Sequence, residues 1–124
     1  MPDELVPDVV LDLIQRHIDS VAQLEALLLL RANPADSWTA SLIARRLYAP
    51  EDDIVRALAL LCADGFLTRD HDTYRYECSV EKRERVNRLA EVYSRHLILV
   101  TNLIHAKPRN IRQFSDAFKF RMDD

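Results

Sequence analysis

One glycine, Gly65, stands among the 124 residues of this chain. Folds with many strands need tight turns, and such turns commonly place glycine in the left-handed region of backbone conformation. A chain with so little glycine is therefore predicted to be mainly helical. Gly65 itself follows a helical apolar pattern and precedes the pair Phe66-Leu67. We expect it to end a helix in the left-handed conformation, which glycine adopts without strain.

The charge of the chain is divided unevenly along its length. Hydrophobic residues make up 48% and charged residues 30%, a balance that predicts one packed domain rather than disorder. Residues 1–78 carry seven Lys/Arg and fourteen Asp/Glu, a net charge of −7, whereas residues 79–124 carry ten and six, a net charge of +4. Either the basic C-terminal part binds an anionic partner, or these charges only solvate helix faces.

Nothing in the sequence indicates secretion or a membrane span. The start, "MPDELVPD", is acidic and lacks the basic region of a secretory signal. The longest apolar runs, "ALLLL" and "LILV", are too short to cross a bilayer. Cys62 and Cys78 match no zinc or CxxC spacing, so we interpret them as reduced cysteines of a cytoplasmic protein without a metal site.

Four helices are predicted before Gly65. Residues 1–19 contain a short N-terminal helix, and Ser20 with Gln23 forms a capping box for a second helix, whose broad apolar face predicts a central position. Asn33-Pro34 ends that helix. A third helix, over residues 40–47, is capped by Thr39, and a fourth begins at Pro50.

A β-hairpin and a long helix are predicted after Gly65. "FLTR" and "YRYEC" flank the turn-like "DHDT", and the second run alternates apolar and polar residues. Ser79 then caps one helix over residues 79–106, whose second half, "HLILVTNLI", is apolar almost all round. A monomer of this size leaves such a helix incompletely covered. We therefore predict a homodimer whose interface contains Leu89, Tyr93, Leu97, Val100 and Ile104.

The C-terminal residues 107–124 are basic and hold three of the four phenylalanines. Ile111, Phe114 and Phe118 follow one another at helical spacing. They either dock on a partner protein or complete the core of the chain or of its dimer. A membrane-surface role is a third interpretation, which the terminal Asp123-Asp124 pair disfavours.

The segments "TASLIARRL", "PEDDIVRALALLCADGFL" and "TRDHDTYRYE" together resemble a winged helix-turn-helix domain. The resemblance covers about residues 20–78. The pattern looks like that of the MarR-type and related bacterial transcription regulators, which commonly carry a dimerising helix after the wing. It implies a mainly α fold with a small β-hairpin. Together with the segments on either side, it divides the chain into four: an N-terminal helix (1–19), a winged-helix core (20–78), a long C-terminal helix (79–106) and a basic tail (107–124).

In such regulators the helix at residues 50–64 would read the major groove of double-stranded DNA while the wing contacts the backbone. The resemblance implies DNA contacts by five exposed arginines: Arg45, Arg46, Arg56, Arg69 and Arg75. Glu51, Asp52 and Asp53 depart from the pattern, because they would face a duplex with one negative charge about every 1.7 Å. Two hypotheses follow, a dimeric transcriptional regulator and a protein-interaction module that does not bind DNA.

Catalytic chemistry finds little support in the sequence. The four histidines show no paired metal-ligand spacing, and one glycine cannot form a glycine-rich phosphate loop. No Ser or Cys lies in a nucleophile-elbow context. We therefore expect a non-enzymatic protein without a cofactor.

Overall fold

Helices make up most of the computed structural model, which describes residues 5–107. Within this range, six helices and three short strands follow one another. They are α1 (Asp8–His17), α2 (Val21–Ala32), β1 (Trp38–Thr39), α3 (Ala40–Leu47), α4 (Glu51–Ala63), β2 (Leu67–Asp70), β3 (Thr73–Tyr76), α5 (Val80–Arg95) and α6 (Leu97–Ala106). The mainly helical class is confirmed. None of these helices has both the length and the apolarity that crossing a bilayer requires.

Side-chain hydroxyls begin three of the helices. In each case the hydroxyl oxygen accepts a hydrogen bond from the backbone N–H three residues further on: Ser20 from Gln23, Thr39 from Leu42, and Ser79 from Lys82. The three predicted N-caps are thus confirmed, and each typically stabilises its helix by about 1 kcal/mol.

Gly65 ends α4 as predicted, with a φ of +84°. The Gly65 N–H donates to the Cys62 carbonyl (3.1 Å) and the Phe66 N–H to the Leu61 carbonyl (2.9 Å). These two bonds satisfy carbonyls at the end of α4 and turn the chain into β2.

The hairpin strands β2 and β3 belong to a three-stranded antiparallel sheet. Strand β3 lies in the middle, in the order β1–β3–β2, and Leu67 pairs with Tyr76 while Arg69 pairs with Tyr74. The predicted hairpin is therefore present. The third strand, β1, was not predicted, and it joins the sheet because Trp38 pairs with Tyr74.

The core is one cluster of buried residues that extends from Val6 to Ile104. Helix α2 lies at its centre, as its broad apolar face predicts, and contacts α3, α4 and β3. Leu24, Leu27 and Leu30 of α2 are fully buried.

The C-terminal helix differs from the prediction of one continuous element over residues 79–106. His96, with φ −134° and ψ 53°, divides it into α5 and α6. Helix α6 contacts both α1 and α5. A straight helix of this length would extend for about 40 Å and carry its apolar half away from α1. The break instead lets Val100 and Ile104 become buried in the core of the same chain.

Candidate functional site

The turn between α3 and α4 presents an aromatic side chain to solvent. Tyr48 adopts a left-handed conformation (φ 54°, ψ 43°) at the end of α3, and 95% of its surface is exposed. For a residue other than glycine, this conformation costs roughly 1–2 kcal/mol. An exposed ring adds nothing to the core, so the folding of the chain does not explain a tyrosine here.

Helix α4 buries one face and presents an acidic and apolar face to solvent. Its buried residues, which recur at helical spacing, are Ile54, Ala57, Leu58 and Leu61. The first turn exposes three carboxylates, and Val55 and Ala59 are exposed further along the helix. The carboxylates stabilise the helix N-terminus by roughly 0.3–1 kcal/mol each. The exposed face therefore offers few groups that could donate to DNA.

Arg56 is the single cation of α4. Its guanidinium lies 3.6 Å from the Asp53 carboxylate, one turn earlier on the same helix. Both side chains are exposed, so this pair contributes little to stability. It does offset much of the positive charge that Arg56 could offer to a phosphate.

The other predicted DNA-binding arginines are also exposed, but they do not form one surface. Arg46 lies over the Trp38 ring (5.7 Å) and Arg69 over the Tyr74 ring (5.6 Å). Since Trp38 and Tyr74 are paired across the sheet, these two arginines lie at the same sheet face.

Arg75 points to the opposite face of the sheet, because it follows Tyr74 directly in β3. Its guanidinium donates to the Ser37 hydroxyl (3.3 Å). Arg45 lies on the exposed side of α3. The structure thus places Arg46 and Arg69 at one face of the sheet and Arg75 at the other.

The tip of the hairpin is acidic. Asp70, His71 and Asp72 are all exposed, and His71 has a positive φ of 57° in the turn. The backbone carbonyl of His71 accepts a hydrogen bond from Arg69 Nε (2.6 Å). This bond further restrains the guanidinium that stacks on Tyr74.

A groove of about 590 Å³ lies between the start of α2, one flank of α4 and the end of α6. Its apolar lining comes from all three helices: Ala22, Ala57, Leu60 and Ile104. Asp53, Arg56 and His105 add charged or polar groups. We call this site the α2/α4/α6 groove. Sequence reasoning missed it, because its walls lie far apart in the chain.

Lys107 also lines the α2/α4/α6 groove and is held there by three acceptors. Its ammonium donates to the carbonyls of Ile14 (2.9 Å) and Ile18 (2.7 Å) and to Asp19 Oδ1 (3.1 Å). Only 9% of the Lys107 side chain is exposed. All three of its N–H donors are therefore used, and the end of α6 is attached to the end of α1.

Four of the five predicted dimer-interface residues lie in the core of their own chain: Leu89, Tyr93, Val100 and Ile104. They have little surface left for a second copy. Helix α1 packs against both α5 and α6, these two helices contact each other, and Tyr93 is hydrogen-bonded to Glu25 of α2. Leu97, which is 50% exposed, and its neighbour Ile98, which is 69% exposed, still have surface for a partner. Dimerisation stays a prediction. Ile111, Phe114 and Phe118 lie outside the described residues.

Burial raises the pKa of three side chains, those of Cys62, Tyr76 and Tyr93. It raises the pKa of Tyr93 to about 12, and the hydrogen bond that the Tyr93 hydroxyl donates to Glu25 Oε1 (2.8 Å) acts in the same direction. Burial also raises the pKa of the Cys62 thiol, although the nearby charge of Arg69 opposes this shift. All three shifts favour the neutral form of the side chain.

Comparisons of the chain with protein-family models, with curated proteins and with solved structures gave no match.

Proposed function

We propose that residues 21–76 form a winged-helix unit. Three features support this: the order helix, strand, helix, helix, hairpin; the sheet order β1–β3–β2; and the close contact of α3 with α4. In this arrangement α4 takes the place of the recognition helix and the β2–β3 hairpin that of the wing.

We propose further that this unit binds another protein rather than DNA. The observation that carries the proposal is the exposed face of α4, where three carboxylates are followed by Val55 and Ala59. A recognition helix in the major groove needs donors and positive charge, because DNA carries one negative charge about every 1.7 Å. Here the only cation of α4, Arg56, lies beside Asp53.

The same face suits a protein partner. Aromatic residues are enriched among those that dominate binding energy, and Tyr48 projects from the turn that leads into α4. A strained conformation that the core does not require is typical of a residue kept for recognition. Tyr48, Val55 and Ala59, with Glu51 and Asp52 beside them, form what we call the α4 face.

A second candidate is contact with the DNA backbone, favoured by Arg46 and Arg69. Their guanidinium groups lie at one sheet face, held over Trp38 and Tyr74. Such restraint lowers the entropy lost when an arginine binds phosphate. In that case α3 and the hairpin would contribute most of the binding, and the function would be that of a transcriptional regulator.

Fluorescence anisotropy with a labelled random-sequence duplex at low salt tests the two candidates. For the interaction module we expect no binding at micromolar protein, a range in which non-specific DNA binding is commonly detected. Two variants make the result decisive: Glu51→Gln/Asp52→Asn/Asp53→Asn and Arg46→Met/Arg69→Met. If the chain binds DNA, tightens in the first variant and weakens in the second, the regulator is right and the module wrong.

Site-specific photo-crosslinking in cells tests for a protein partner. A photoreactive phenylalanine replaces Val55 on the α4 face or, as the control, His71 at the hairpin tip; both positions are exposed. We expect discrete crosslinked products from position 55 and none of the same mass from position 71. Identical product patterns from the two positions would count against the α4 face as a binding surface.

A further inference from the structure

The α2/α4/α6 groove lies where the described part of the chain ends, since Lys107 forms part of its wall. We propose that the groove binds the residues that follow it, 108–124, of the same chain. The groove borders the α4 face, because Asp53 lines it and Glu51 and Asp52 directly precede Asp53 in the chain. The proposal does not depend on the identity of any partner.

The exit of the chain is fixed in position. Lys107 uses all three of its ammonium N–H groups on acceptors at the end of α1, including the Asp19 carboxylate. Ile111 is only four residues further on, so its Cα lies at most about 14 Å from that of Lys107. The first large apolar residue after the exit is therefore close enough in the chain to reach the groove, which Lys107 itself lines.

The groove and the segment are chemically complementary. The groove offers an apolar floor of Ala22, Ala57, Leu60 and Ile104. The segment supplies large apolar residues, Ile111, Phe114 and Phe118. Burial of such side chains contributes roughly 1.5–3 kcal/mol each when it is complete.

The charges of α4 and of the C-terminal segment also favour binding of residues 108–124 in the groove. Asp53 stands at the α4 side of the groove, and Glu51 and Asp52 are exposed next to it in the chain. The segment begins with two cations, Arg109 and Arg112. Arg56 already lies 3.6 Å from the Asp53 carboxylate, so these cations would act mainly on the adjacent negative charges of Glu51 and Asp52. The charge difference between the two parts of the sequence would then act within one molecule.

Disulfide trapping in the full-length chain tests the proposal. In a background with Cys62 and Cys78 changed to Ser, Phe114→Cys is combined with Leu60→Cys, in the groove, or with Ala59→Cys as the control. Ala59 is the neighbouring residue on α4, is more exposed, and does not line the groove. Oxidised products are separated on non-reducing gels and identified by mass spectrometry.

We expect the Leu60 pair to form an intramolecular disulfide at least about tenfold faster than the Ala59 pair, a ratio that corresponds to about 1.4 kcal/mol. Random collisions would favour the more exposed position 59. Equal rates, or a faster reaction at position 59, would therefore overturn the proposal. A disulfide-linked dimer as the main product of the Leu60 pair would also overturn it, because the groove would then bind the segment of a second copy.

A second measurement needs no new cysteine. Limited trypsin digestion of the full chain reports cleavage after Arg109 and Arg112, with far-UV circular dichroism as the check of folding. We expect Leu60→Lys to be cut roughly tenfold faster at these sites than the wild type, equivalent to about 1.4 kcal/mol of lost binding. Ala59→Lys, the matched control, should be cut at the wild-type rate. Unchanged cleavage in folded Leu60→Lys would contradict docking in the groove.

Discussion

The ammonium group of Lys107 offers a quantitative test of how α6 is attached to α1. It donates to the carbonyls of Ile14 and Ile18 and to the Asp19 carboxylate, and both charged side chains are largely buried, at 9% and 16% exposure. Lys107→Met keeps most of the length of the side chain and removes the three donors. The loss therefore reports on the hydrogen bonds and the charge rather than on a cavity.

The size of the expected loss depends on which groups Lys107→Met leaves without a hydrogen-bond partner. The Ile14 carbonyl keeps the Ile18 N–H as a donor (3.1 Å), but Asp19 loses its ammonium partner. Asp19 Oδ2 is already buried without a hydrogen-bond partner, so the remaining carboxylate would be poorly solvated. Breaking a buried ion pair from one side costs about 3–5 kcal/mol. We expect a decrease of about 3 kcal/mol in the free energy of unfolding, near the lower end of that range.

Urea denaturation is the assay, followed by the fluorescence of Trp38, the only tryptophan and a buried one. A loss of about 3 kcal/mol lowers the midpoint by about 1–3 M urea. Arg16→Met is the matched control, because Arg16 pairs with Asp12 at 2.8 Å on the exposed side of α1. Such exposed pairs contribute about 0.3–0.5 kcal/mol.

The double variant Lys107→Met/Asp19→Asn separates the ion pair from other effects. Removing the carboxylate charge should recover part of the loss, with a coupling energy of about 1–3 kcal/mol. The reasoning is refuted if Lys107→Met costs no more than Arg16→Met, or if the two Lys107 and Asp19 substitutions are simply additive.

Three further predictions concern single residues. Gly65→Ala should lower the free energy of unfolding by about 1–2 kcal/mol, because a left-handed alanine is strained and its Cβ would lie 2.5 Å from Lys82 Nζ. Gly65→Asn is the comparison, since asparagine tolerates the left-handed conformation better. If urea denaturation shows that Gly65→Ala costs no more than Gly65→Asn, the prediction is wrong. Tyr48→Gly should raise the free energy of unfolding by about 1 kcal/mol through relief of backbone strain, while removing crosslinking at the α4 face; a destabilised variant would show that Tyr48 serves the fold. The folded chain holds the Tyr93 proton more tightly than the unfolded chain, with a pKa of about 12 against 10. The stability that this provides is complete below pH 10 and is lost as the pH rises through 12. Tyr93→Phe should therefore lose less stability than the wild type as the pH rises from 10 to 12. Urea denaturation at several pH values measures this, and the same dependence of stability on pH in both proteins would contradict the prediction.

Signals that are local in the sequence predicted much of the fold. The caps at Ser20, Thr39 and Ser79 and the left-handed Gly65 each depend on residues within one helical turn, and the structure contains all four. The hairpin was predicted because its alternating residues are also close in sequence.

Features that depend on distant contacts were missed. Strand β1 is only two residues long, too short for any periodicity, and it exists through its pairing with β3. The break at His96 has no proline or glycine beside it, and burial of Val100 and Ile104 accounts for it better than local sequence does. Burial of Val100 and Ile104 in their own chain leaves Leu97 and Ile98 as the exposed apolar residues of α6, and dimerisation through this helix stays a prediction.

Among the candidate site residues, the sequence supplied the arginines and the acidic start of α4 but not their spatial relations. Arg46 and Arg69 lie over two paired aromatic residues on different strands, while Arg75 faces away. Tyr48 gave no signal, because tyrosine rarely adopts a left-handed conformation. The groove was hidden for a related reason, since its three walls come together only in the folded chain.

Helix α2 connects the C-terminal helix α5 to the rest of the core. Its Glu25 accepts a hydrogen bond from Tyr93 of α5, and its Arg31 donates one to Asn87 of α5 (2.8 Å). Helix α5 is thus bonded directly to α2, the helix that also packs against α3 and α4. A polypeptide shortened to residues 20–78 would retain α2, α3, α4 and the three strands but would lose α5, which packs on α2. We expect such a fragment to expose apolar surface and to aggregate, which makes the C-terminal helices part of the same folding unit rather than an appendage to it.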